Sequence, residues 1–67
     1  MTAERVRTLL LRGDNLLKSA RPERFGRAME AFEEAREAAR DDDVRPEVRE
    51  LVERRIDGLR QLMADGP

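Results

Sequence analysis

Glu33 and Glu37 stand four residues apart, Asp41-Asp42-Asp43 form an unbroken acidic run, and Ser19 is the lone serine. Paired carboxylates can share acid–base work, clustered aspartates can hold calcium, and an activated serine hydroxyl can attack a carbonyl. None of the three finds the rest of its machinery in this chain. Histidine, cysteine and tyrosine are all absent, so a serine has no imidazole base and the usual soft metal ligands are missing. Ser19 falls in a predicted turn, where its hydroxyl has structural work. Glu33 and Glu37 fall on a polar helix face with no pocket to hold a proton, and solvated surface charge explains them. A calcium loop beginning at Asp41 would need glycine at its sixth place and glutamate at its twelfth; Pro46 and Val52 occupy them. The expectation is no enzyme, no metal and no cofactor.

Charge gives a second test. Charged residues make up 43% of the chain, yet the net charge is −1, which fits neither a polyanion binder nor an acidic tail. Arg45, Arg49, Arg54, Arg55 and Arg60 on the third predicted helix alternate with Glu47, Glu50, Glu53 and Asp57. That alternation cancels a phosphate-facing stripe, and no aromatic platform exists for single strands. Nucleic acid is therefore not an expected partner. No apolar run approaches the roughly 20 residues that span a bilayer, and Leu9-Leu10-Leu11 is too short for a signal-peptide core. The expectation is no membrane and a cytoplasmic location. The charges are unevenly spread, however. Lys18, Arg21, Arg24 and Arg27 gather at the first turn, whereas Glu30, Glu33, Glu34, Glu37 and the three aspartates make the far end acidic.

The elements that carry these residues are three helices. Val6, Leu9, Leu10, Gly13, Leu16, Leu17 and Ala20 recur in steps of three and four, which trace one helix face. Thr2 is placed to cap this helix, and Leu11 falls off its apolar stripe. Gly13 lies mid-helix on the inner face, where glycine costs about 1 kcal/mol relative to alanine; its presence predicts close approach of another backbone. Ser19-Ala20-Arg21-Pro22 then reads as a turn. A second helix follows with Phe25, Ala28, Met29, Phe32, Ala35 and Ala39 inward. The aspartates favour a helix N-terminus over a C-terminus, so Asp43 is the expected cap of a third helix. That helix carries Val48, Leu51, Val52, Ile56, Leu59, Leu62 and Met63. Predicted spans are about 3–19, 22–40 and 44–64 within one domain, residues 1–67. No segment alternates as a strand would.

Phe25, Ala28, Phe32 and Ala35 carry a further signal: the only two aromatics, each followed by an alanine three residues on. With Leu9, Gly13 and Leu16 on the preceding helix, this spacing resembles the tetratricopeptide repeat. The chain departs from that pattern at Arg12, where leucine is usual, at Leu16 in place of an aromatic, and at Gly26, which follows Phe25 instead of preceding it. The resemblance covers about half the chain, and the third helix takes the place of the capping helix that closes a repeat array. Ala28, Phe32 and Ala35 followed by the long third helix are also similar to the microtubule-interacting-and-trafficking domain, which binds amphipathic helices beside its third helix.

The fold expectation is all-α: a three-helix antiparallel bundle, a tetratricopeptide-like helical hairpin plus a third helix. The resemblance implies a protein or peptide partner, met on the concave face at Arg7, Leu10, Leu11, Asp14, Leu17 and Lys18. Asp14 replaces the asparagine with which that family holds C-terminal carboxylates, so an anionic tail is not expected. At 67 residues the core is small unless association reinforces it, so a homo-oligomer is expected. A purely structural bundle and a non-catalytic accessory subunit stay open as alternatives.

Overall fold

The computed structural model describes residues 2–65, and among them there are three helices and no strand. The helices are α1 (Thr2–Leu17), α2 (Arg24–Ala38) and α3 (Pro46–Asp65). The α1–α2 turn lets α2 run back along α1. Contacts at the next corner turn α3 back along α2: Arg36 Nη1 lies 3.8 Å from Glu53 Oε1, and Arg49 reaches the end of α2. The result is an all-α, three-helix bundle, elongated at 39 × 18 × 13 Å.

At both turns the helices stop short of the spans the periodicity implied, while α1 begins one residue earlier and α3 ends one residue later. Thr2 lies inside α1, and its hydroxyl reaches across to Asp41 Oδ2 at 3.4 Å. Pro22 precedes α2 by a turn, because the Arg24 N–H first donates to Arg21 O at 3.2 Å. Asp43 is not the cap of α3. Asp41 draws the chain into a tight turn by accepting the Asp43 N–H at 2.9 Å, and Arg45 O takes the first helical N–H groups, from Val48 and Arg49. Pro46 is the first helical residue, where its fixed φ fits and its missing N–H is not needed.

Burial is concentrated on the inner rows: Val6, Leu9 and Leu10 from α1, Ala28, Ala31, Phe32 and Ala35 from α2, and Val52, Ile56 and Leu59 from α3. Ala39 and Val44 plug the α2–α3 corner. Each large apolar side chain so removed from water contributes about 1.5–3 kcal/mol. The close approach at Gly13 is made by a ring, not by a backbone. A Cβ at position 13 would stand 2.2 Å from Phe32 Cε1, with two further ring atoms within 2.8 Å. The ring thus occupies the space where any other residue would carry its side chain. Gly13 is a notch, and Phe32 fills it.

Candidate interaction surface

Among the described residues no polar or charged side chain is buried, and no group of His, Cys, Asp and Glu is placed to hold a metal ion. Charge lines most of the surface depressions, as where Arg5 meets Glu30, Glu33, Glu34 and Glu37 between α1 and α2; a shallow one on α1, lined by Thr8, Leu11, Arg12, Asn15, Leu16 and Ser19, is mainly uncharged. Ser19 Oγ accepts the Arg21 N–H at 3.0 Å, closing the first turn. Each residue with catalytic potential is either solvated or engaged in local structure.

What the surface does offer is unpartnered apolar side chains. Four large ones are exposed: Leu11 (56%), Leu51 (41%), Leu62 (53%) and Met63 (47%). Three of the four belong to α3, so this helix is the one whose stripe is wider than its seat. Val52, Ile56 and Leu59 fill that seat against α2. At 100° per residue, Leu51 and Leu62 lie on a different row, together with Arg55 and Gly58. That row, spaced by four, three and four, is the outer flank of α3. A Cβ added at Gly58 would meet nothing within 4 Å. The flank is open at Gly58 and is crossed at Arg55, which pairs with Asp14 of α1.

The expected binding residues of α1 divide in the structure. Arg7, Leu11, Asp14 and Lys18 share a row with the same four-three-four spacing. Leu10 does not join them; only 6% of it is exposed, because it packs into the core beside Val6 and Leu9. It is removed from the candidate site. Leu17 is half-buried, packed against the core cluster. Asp14 is already engaged, its Oδ2 3.2 Å from Arg55 Nη2. This pair ties α1 directly to the outer flank of α3 and fixes how the two parallel helices stand. Counting from it, Leu51 is level with Leu10 and Gly58 with Leu17.

No family model, curated protein or solved structure matches this chain. Its interaction surface must be read from its own residues.

The two ends of α3 differ in surroundings. Around Leu51 stand Glu47 and Glu50, with the Asp41–Asp43 turn just before the helix. Counting along antiparallel α2 and α3 from the Arg36–Glu53 pair brings Leu62 and Met63 level with the first turn of α2. Phe25 is there, with Arg24 stacked 4.6 Å from the centre of its ring. By this count Lys18, Arg21, Arg24 and Arg27 lie at the Leu62 end of the bundle, with Glu23 and Asp65 the acidic residues among them, so that end is basic on balance. At the opposite end, Arg49 closes the corner by donating from Nε to Ala39 O at 2.6 Å and from Nη2 to Asp41 O at 3.0 Å. The first bond satisfies the carbonyl of the α2 C-cap residue, and the second shares Asp41 O with the Val44 N–H in the turn beyond. Leu51, Leu62 and Met63 belong to the same apolar set of α3 as Val52, Ile56 and Leu59, yet only the last three are covered. A period of 3.6 locates an apolar stripe but does not say how much of its width a neighbour covers.

Proposed function

We propose that this chain is a small protein-binding module of tetratricopeptide-like build that meets its partner on the outer flank of α3. The observation that carries the reading is the exposure of Leu51 and Leu62 on one row of a helix whose other rows are buried or charged. Single exposed leucines are ordinary on protein surfaces; here two stand on one row of α3, about 16 Å apart, with Met63 exposed beside Leu62. The absence of buried titratable groups among the described residues supports binding over catalysis. Arg55, within the row and paired with Asp14 of α1, supplies a polar group between the two leucines.

The test is capture from the source cells with the wild-type chain and with the double substitution Leu51→Gln, Leu62→Gln. Both positions are exposed, so circular dichroism should give the same helix content for both forms. The expected result is protein retained by the wild type and lost by the variant. Equal retention by both forms would remove α3's outer flank from the reading, and retention by neither would favour a purely structural bundle.

A further inference from the structure

Leu51, Arg55, Gly58 and Leu62 make the same sequence of spacings read from either end. A copy of the row turned end for end can therefore pair with it position for position, and the charges at the two ends of α3 favour that pairing. We infer that two copies of this chain associate through α3, antiparallel and two-fold symmetric, with Leu51 of each against Leu62 of the other. The inference rests on the interaction reading above and names its partner.

In such a pair residue i faces residue 113 − i, so Arg55 of one copy lies over Gly58 of the other. Gly58 has no neighbour within its own chain, and glycine mid-helix costs about 1 kcal/mol against alanine. Nothing inside the chain accounts for that cost. Across a two-fold interface the missing side chain lets the helices approach and leaves room for the stem of Arg55, whose guanidinium stays on Asp14. A symmetric contact also closes, so the association stops at two.

The charges at the two ends favour the antiparallel arrangement over the parallel one. It sets the acidic start of α3 (Glu47, Glu50 and the aspartate turn) beside the basic end of the partner (Lys18, Arg21 and Arg24). The contact is made twice by symmetry, within about one Debye length at physiological salt. A parallel pair would stack acid on acid and base on base. With a net charge of −1, overall repulsion between copies is negligible.

Size sets the expected strength. A 20-residue helix is about 30 Å long and 10–12 Å wide, so the row buries on the order of 300–400 Å² per copy. That lies below the roughly 800 Å² per partner of a standard stable interface. The association is therefore weak, reversible and dependent on salt.

The test exploits the absence of cysteine from the chain. Leu51→Cys and Leu62→Cys variants are prepared separately, then oxidised mildly at about millimolar protein, alone and mixed, conditions suited to a weak dimer. The expected result is a disulfide-linked dimer forming in the mixture at least about tenfold faster than in either variant alone. In the antiparallel register positions 51 and 62 meet, whereas two copies of position 51 stand about 16 Å apart along the helix axis. Sedimentation of the wild type should give a monomer–dimer equilibrium that weakens about three- to tenfold between low and high salt. Charge reversal at Glu47 and Glu50 to lysine, or at Lys18 and Arg21 to glutamate, should weaken it to a similar degree. The fourfold variant, with both ends reversed, should regain most of it.

Equal cross-linking in the mixture and in the single variants would overturn the antiparallel register. A strict monomer at millimolar concentration would overturn self-association. The capture experiment keeps that failure distinct: a foreign protein retained by wild type and lost with Leu51→Gln, Leu62→Gln would leave the interaction reading standing without the dimer. Loss of both would remove the two together.

Discussion

Leu9 on α1 and Leu51 on α3 are the same side chain in the same kind of apolar stripe, yet one is 5% exposed and the other 41%. Between α1 and α2, each helix presents an inner row to the other, and the Gly13–Phe32 contact draws the helices into close packing. The α3 helix packs mainly on the one face that α2 has left and touches α1 at the Arg55–Asp14 pair, so Val52, Ile56 and Leu59 are covered while Leu51 and Leu62 are not. What separates the regions is the number of neighbours, not the residues. The hairpin seam holds the fold, and the uncovered flank is free to do something else.

Four substitutions test that division, beginning with the largest effect. Phe32→Ala removes the ring at the centre of the seam. Loss of a buried phenylalanine costs about 3–5 kcal/mol, comparable to the whole stability of a domain this small. The expected outcome is loss of the helical circular-dichroism signal at 25 °C. A cooperative melt only a few degrees lower would mean the seam is less central than its burial implies.

Gly13→Ala is the sharper test of the same contact. Alanine is the better helix former, so propensity alone predicts a rise in melting temperature. The added Cβ overlaps the Phe32 ring, and overpacking of that kind costs about 1–3 kcal/mol. A fall of about 5–15 °C is expected for a domain of this size. The smaller side chain of Phe32→Leu should recover part of it when the two changes are combined.

On the flank the same chemical change should act with the opposite sign. Gly58→Ala meets nothing within the chain, so it should stabilise the monomer by about 0.5–1 kcal/mol through helix propensity. Urea titration at low protein concentration, below any dimerisation, measures this directly. A loss of stability there would break the contrast between the two glycines. Leu51→Gln should change monomer stability least, within about 0.5 kcal/mol. Leu9→Gln, in the covered row, serves as the destabilised reference.

Much of this was legible from residue spacing. Three helices, two turns and the inward set Phe32, Ala28 and Ala35 follow from a 3.6-residue period, and each is present. Local hydrogen bonding moved the boundaries. Asp41 accepts the Asp43 N–H within the turn, so the aspartates build the corner instead of capping α3. Val44 went unread as core because it stands in the turn, outside any helical period; Ala31, three residues after Ala28 and four before Ala35, shares their buried row. Of the residues read as a partner surface, Arg7, Leu11 and Lys18 are exposed, Asp14 is half-buried against Arg55, and Leu10 is inside. Spacing alone did not separate the exposed Leu51 and Leu62 of α3 from its buried Val52, Ile56 and Leu59. One signal was available: α3 has more apolar rows than a single neighbouring helix can cover.

The notch at Gly13 has a consequence apart from how firmly the hairpin holds. Sliding α1 past α2 by one turn in either direction would bring Leu9 or Leu10, Leu16 or Leu17, under the Phe32 ring, each with a full side chain already in the way. Only one alignment of the two helices lets the ring seat. Glycine and phenylalanine therefore act as a key and its slot, and misaligned hairpins are excluded before α3 has a surface on which to dock.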